Sequence, residues 1–216
     1  MKGFKIAEEH LILKVTVLAI LLSLLTTLCS CTGENNIQEE KNFDENGFFV
    51  SEAMSYDALK SYYSENKGIS LNDAEGKLAQ MEITREKGET YRVVTQKIEG
   101  SEKKAPYIEV YLKTAETEDG WTAESIRKVI LLFDAKQEDG IFLGDLVCWL
   151  RENNQLEYSL NGNLYKTAAV KEGVVCKEEI DGEEIQLHYL PEGKVRNKDS
   201  EYLYIHKTII MGPGIS

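Results

Sequence analysis

From Tyr91 to the C-terminus, apolar and polar residues of this 216-residue chain alternate in short runs. Successive side chains of a strand point to opposite faces, so a period of two marks half-buried β-strands and excludes an all-helical fold. Tyr91–Ile98 (YRVVTQKI) and Tyr107–Thr114 (YIEVYLKT) are rich in the β-branched and aromatic residues that suit a pleated surface. In the second run Ile108, Val110 and Leu112 share one face, and Tyr107, Glu109, Tyr111 and Lys113 share the other. Asn161-Gly162 and Asp181-Gly182 read as two-residue hairpin turns, because both central positions of a type I′ turn need positive φ. They are expected to link Leu156–Leu160 to Leu164–Val170, and Val174–Ile180 to Glu183–Tyr189. A last strand is expected over Glu201–Ile210.

Two segments carry mixed signals. Trp121–Phe133 has apolar residues at 126, 129, 130 and 133 behind Thr122, which is helical spacing, yet Val129–Phe133 is a β-favouring run. Phe142–Leu150 fits either period. Both are read as strands, because they complete a meander leading through Asn153-Asn154 into the next hairpin. Upstream the period lengthens. Tyr56, Leu59, Tyr62 and Tyr63 recur at helical spacing between an N-cap at Ser55 and a stop at Gly68, and a shorter helix is expected over Ser70–Gln80. The expected fold is mainly β. Eight or nine antiparallel strands form a meander, closed as a β-sandwich or small barrel, with a short N-terminal helical segment.

The first thirty residues are of another kind. Lys2, Lys5 and Lys14 precede Val15–Leu28, whose polar members are only Thr and Ser. A basic segment before roughly 7–15 apolar residues is the pattern of a secretory signal. Leu28-Cys29-Ser30-Cys31 resembles the lipobox of bacterial lipoproteins: an aliphatic residue, two smaller positions, then the cysteine that is modified. The resemblance implies that signal peptidase II recognises Leu28, Cys29 and Ser30 and cleaves before Cys31. It also implies that Cys31 carries a diacylglycerol thioether and an N-acyl chain such as palmitate, with no other cofactor. Cys29 suits the role less well, because bulky Leu28 would then occupy a position that needs a small residue. The alternative is an uncleaved single-pass anchor over Leu11–Cys31, interrupted only by Lys14.

Lipidation sets the expected location: the extracytoplasmic face of the cell membrane, with the membrane itself as one partner. Each buried methylene adds ~0.8 kcal/mol of membrane affinity, and two chains on one cysteine make attachment lasting. Thr32–Gly47 (TGENNIQEEKNFDENG) buries too little to order itself and reads as a tether from Cys31 to Gly47. Sixteen flexible residues reach roughly 20–24 Å, enough to hold a domain clear of lipid headgroups. Residues 48–216 are then one domain. From Cys31 onward the chain holds 22 basic and 35 acidic residues, a charge of 22 − 35 = −13. An acidic body lacks the basic stripe that replaces counterions on phosphate, so nucleic acid is excluded as a partner.

The series Ser125–Val129, a Gly-containing strand, and Leu156–Lys166 (LEYSLNGNLYK) is similar to a group of all-β lipoproteins of Gram-positive bacteria. This second resemblance covers about 45 residues, supports strands in both contested segments and implies no activity.

Few residues offer chemistry. Cys148 and Cys176 are candidates for a disulfide if their Cα atoms fall within ~7 Å. Each lies in an apolar run, where a thiol also packs as a small hydrophobe. His188 and His206 would meet only on adjacent strands, and no HExxH or paired CxxC supports a metal. No GxSxG, Walker A or GxGxxG pattern is present, and the acidic turns lack calcium-loop spacing, so no enzyme is expected. Tyr107 and Tyr111 on one strand, and Tyr202 and Tyr204 on another, form candidate binding stripes, with sheet packing as the competing explanation. The expectation is a non-catalytic module that binds an envelope protein. The alternative is a β-barrel that holds a small apolar or aromatic ligand. A filled interior beside an exposed tyrosine face would favour the former, and an apolar cavity the latter.

Overall fold

The structure is a computed structural model describing residues 43–98, 106–132, 140–152, 154–166, 169–170, 173–181, 183–195 and 200–212. Its elements in chain order are β1 (Phe48–Val50), α1 (Tyr56–Lys67), α2 (Leu71–Gln80), β2 (Thr90–Lys97), β3 (Tyr107–Thr117) and β4 (Gly120–Leu132). There follow β5 (Ile141–Arg151), β6 (Gln155–Tyr165), β7 (Val174–Asp181), β8 (Glu184–Pro191) and β9 (Ser200–Ile210). The chain is mainly β. Both mixed segments are strands, as β4 and β5, and both expected helices are present.

Two antiparallel sheets form. The first has the order β1-β2-β3-β4 and the second β7-β8-β5-β6-β9. Neither order closes on itself among the described residues, so the arrangement is a sandwich and not a barrel. Val94, Ile98, Ile108, Val110, Leu112 and Val129 of the first sheet pack against Leu146, Cys148, Leu156, Leu160, Ile185 and Leu187 of the second. These side chains are at most 2% exposed, so the space between the sheets is filled.

The helices roof the other face of the first sheet. Ser55 and Ser70 cap α1 and α2 by accepting from the N–H groups of Ala58 and Asp73, and Gly68 ends α1 at a φ of +61°. Tyr56, Leu59 and Tyr63 of α1 and Ala74 and Leu78 of α2 are buried against Tyr91, Val93 and Tyr111. The first sheet is therefore covered on both sides, which is why Val93 and Val94, neighbours on opposite faces, are both inaccessible.

This roof corrects one expectation. The alternation placing Tyr107, Glu109 and Tyr111 on a common face is right, but Tyr111 is 1% exposed and offers no binding surface. Its ring lies 5.9 Å from that of Tyr63, and its hydroxyl donates to Glu109 at 3.2 Å. Burial, and then the Glu109 carboxylate, push the Tyr63 and Tyr111 phenols up. Tyr107 is half-buried against Phe43, with ring centroids 5.9 Å apart.

A second correction concerns Asn161-Gly162. The chain reverses between paired Arg151 and Gln155, with Asn154 at a φ of +59°, and β6 runs unbroken from Gln155 to Tyr165. Asn161 and Gly162 lie mid-strand opposite Asp145 and Gly144. Glycine serves close approach here. A Cβ on Gly162 would sit 2.4 Å from the Leu143 carbonyl oxygen and 2.6 Å from the Phe142 ring. Gly144 has a φ of +148°, and a Cβ there would lie 2.3 Å from the Asn161 carbonyl oxygen. Val170, expected in the same strand, instead bridges Val195 alone. β7 and β8 do pair as a hairpin, but Asp181 is itself in the ladder opposite Glu184, so the reversal falls one residue later than the Asp181-Gly182 turn expected from sequence.

Two outcomes test this architecture. Gly144→Ala should cost about 2 kcal/mol, the scale of an overpacked site, seen as a lower urea midpoint at unchanged slope. Under α1, Lys67 Nζ lies 2.8 Å from Glu109 Oε2, whose side chain is 3% exposed. Lys67→Met should cost roughly 3 kcal/mol because it removes the cation beside a buried carboxylate. A change below 0.5 kcal/mol in chemical unfolding would contradict the roofed arrangement.

Candidate functional site

With the first sheet enclosed, the outer face of the second sheet is the broad strand surface left open. Alternation sends the odd residues of β5, β6 and β7 and the even residues of β8 and β9 to this face. Register aligns them in rows across the strands. One row runs Lys177, His188, Asp145, Asn161, Tyr204. The next runs Glu179, Gln186, Val147, Ser159, His206, and the next contains Glu184, Trp149, Glu157 and Thr208.

Aromatic and apolar groups stand exposed along its margins. Tyr202 and Tyr204 are each 63% exposed on β9, with Ile210 at the strand's end. Val175 and Leu190 are exposed on β7 and β8 at the opposite margin. The Tyr202 hydroxyl donates to Asn161 Oδ1 at 2.9 Å, which fixes that ring's tip over β6.

Between the margins the carboxylates are hydrogen-bonded. His188 Nδ1 lies 2.7 Å from Asp145 Oδ1. Glu157 accepts from Arg151 Nε at 2.7 Å and has His206 Nε2 at 3.1 Å. Glu184 accepts from the Trp149 indole N–H and from the Gln186 amide. Arg151 also lies over the Trp149 ring, 5.3 Å from its centroid, and the His206 ring is 6.4 Å from it. Carboxylates already held by neighbours cost less to cover than bare ones, so the face can dock against a surface of mixed polarity.

The expected site residues therefore separate. Tyr202 and Tyr204 share this face, while Tyr107 and Tyr111 belong to the first sheet and its roof. His188 and His206 do not meet: β5 and β6 lie between their strands. Among the described residues, no group of three or more His, Cys, Asp or Glu side chains converges as metal ligands. Leu28, Cys29, Ser30 and Cys31 lie outside the described residues.

Cys148 and Cys176 are free thiols. Cys148 is opposite Ile185, and Cys176 is opposite Tyr189, so β8 separates their strands and four residues separate their positions along it. Four residues of strand are about 13 Å, beyond disulfide reach. Burial pushes both thiols up; at Cys176 the Tyr189 hydroxyl and Lys128 oppose it.

The first sheet carries a different feature, an open cleft of about 340 Å³ lined by Lys87, Glu89, Lys113, Glu116 and Glu124, among others. Lys113 pairs with both Glu89 and Glu124. Its hydrogen bond to Glu89 holds that carboxyl below its ordinary range. Such an ion-paired cleft does not enclose an apolar ligand.

Trp149, Arg151, Glu157 and Asp145 were not singled out from sequence. Their signal was the alternation of β5 and β6, both expected as strands, although the turn placed at Asn161-Gly162 ended β6 five residues early. Comparison with protein-family models, with curated proteins and with solved structures found no match to the chain.

Two measurements check this geometry. In a chain lacking the first 31 residues, one thiol should react with an aromatic disulfide in the native state and the second only on unfolding. Glu157 is held low by its hydrogen bond to Arg151, then by the Arg151 and His206 charges. A lowered folded pKa gives stability that is present above the unfolded value near ~4.3 and lost as pH falls through the folded value. Arg151→Gln should move the Glu157 titration, followed by carboxyl NMR, back toward that ordinary value.

Proposed function

We propose that this chain is a lipid-anchored protein of the cell envelope, held at the outer face of the cytoplasmic membrane by acylated Cys31, which binds a protein partner and catalyses no reaction. The partner docks on the outer face of the second sheet. The observation that carries this reading is the pairing of a filled interior with an exposed aromatic sheet face. Tyr202, Tyr204 and Trp149 supply large rigid contact area with hydrogen-bonding tips, the composition typical of energetically dominant interface residues.

The barrel alternative finds little support, because among the described residues the sheets do not close and the side chains of Leu112, Leu146 and Leu160 are buried in the core between them. Among the described residues no helix is long and apolar enough to cross a membrane. Anchoring therefore rests on the lipobox-like residues and on the acidic tether that follows them.

Each part has its own test. Cys31→Ala should shift the protein from the membrane fraction to the soluble fraction and remove the acyl mass from its N-terminus. Unchanged partitioning of that variant contradicts the anchor. A photoreactive residue at Ser159, at the centre of the face, should give adducts of one discrete mass in intact envelopes. The same group at Leu71 on α2, which is 50% exposed, should give none. Equal labelling from both positions contradicts the docking face.

A further inference from the structure

The four sheet edges are not alike. Edge strands present unpaired N–H and C=O groups, and proteins blunt them by shortness, charge or bulges. At β1 the edge is three residues long. On β7 the centre reads Lys177-Glu178-Glu179, consecutive charges that discourage a neighbouring strand. β4 has irregular register with β3 at two points, between Tyr111 and Leu112 and between Lys113 and Thr114. The pairing skips Arg127 and Glu124 there, so β4 is bulged along its edge.

β9 lacks the shortness of β1, the run of consecutive charges of β7 and the bulges of β4, and its two charged residues of opposite sign, Glu201 and Lys207, stand six positions apart. Its eleven residues pair with β6 in unbroken register, and among the described residues no strand lies on its other side. The Met211 N–H donates to the Asn154 carbonyl at 2.9 Å, which fixes the direction of the ladder. Bonding direction alternates along an antiparallel strand, so Leu203, Ile205, Lys207 and Ile209 bond toward β6. The N–H and C=O groups of Tyr202, Tyr204, His206 and Thr208 point outward, away from the sheet.

We propose that β9 pairs with β9 of a second copy of this chain, antiparallel about a two-fold axis at Tyr204. In that register each residue i lies opposite residue 408 − i, and both members of every pair lie on the same face of the combined sheet. Glu201 then opposes Lys207 twice, once on either side of the axis. Tyr202 opposes His206 twice, Leu203 opposes Ile205, and Tyr204 opposes itself. The outward-directed backbone groups of Tyr202, Tyr204 and His206 fall in hydrogen-bonded pairs. Opposite charges and paired aromatics are the cross-strand combinations that stabilise a sheet. Registers centred on Glu201 or on Lys207 would instead oppose like charges.

The commitment to a second copy rests on this self-complementarity, because one strand supplies both members of each ion pair. The result is a ten-stranded sheet whose outer faces join across the axis. It does not depend on the identity of any other partner or on the lipid anchor.

Disulfide trapping in membranes that hold the full chain tests the register directly. Directly opposed residues of a hydrogen-bonded pair have Cα atoms about 5.5 Å apart, within disulfide range. With exposed Cys176→Ser as background, Tyr204→Cys should convert most of the chain to a dimer on mild oxidation. Thr208→Cys, on the same edge, should not cross-link with itself, but should cross-link with chains carrying Ser200→Cys. Adding Glu201→Lys to the Tyr204→Cys chain should lower trapping about tenfold, and adding Lys207→Glu as well should restore it. Equal trapping at positions 204 and 208, or no response to the charge exchange, overturns the proposal. A monomer by sedimentation in detergent across the micromolar range also overturns it.

Discussion

The structure depends on the double burial of the first sheet. A strand with one buried face needs only alternation, but β2 and β3 have apolar or specifically paired residues at almost every position, because helices cover one side and the second sheet the other. Val93 and Val94, adjacent and both inaccessible, record that constraint in two residues. Packing on the helix side gathers Tyr56, Tyr63, Tyr91 and Tyr111 among aliphatic residues and includes the Lys67 contact to buried Glu109, whereas packing between the sheets is mainly aliphatic. The polar contact suits its place: it ties α1 to β3 where an aliphatic contact would fix no particular alignment.

Roofing one sheet decides what remains for function. The second sheet buries one face in the shared core and turns the other outward, so side chains at alternate positions of five strands form one surface. That surface combines exposed tyrosines at one margin, apolar groups at the other and hydrogen-bonded carboxylates between them. A partner covering it would displace little strongly bound water from the paired carboxylates and would gain area from the rings. On the proposed lipid-anchored reading, the acidic residues that follow Cys31 and the net negative charge favour standing off from an anionic lipid surface, which would leave the face open to a protein.

Much of the fold was legible because its elements carry local signals of several kinds that agree. Ser55, Gly68 and Ser70 bracket the helices, and alternation identifies β3 and β9 to within a few residues. β4 was legible despite helical spacing in part of it because its Val129–Phe133 run favours strand and its neighbours are strands. Two things were not legible. Asn161-Gly162 has the composition of a hairpin turn, but its glycine answers to a tertiary need, the close packing of Phe142 and the β5 backbone. The helical roof over Tyr111 is a long-range contact: nothing within β3 distinguishes a tyrosine facing solvent from one facing α1. Both errors bear on the candidate site. The first broke the strand that carries its centre, and the second spread the tyrosines over two surfaces when only Tyr202 and Tyr204 share one.

Hydroxyl-radical footprinting, read residue by residue in intact envelopes and in the purified protein, tests the central claim that the outer face of the second sheet is the working surface. The account predicts that Trp149, Tyr202 and Tyr204 are oxidised several-fold more slowly in the envelope, while Leu71 on the helical roof reacts equally in both. Equal oxidation of the three aromatics in the two settings would contradict it.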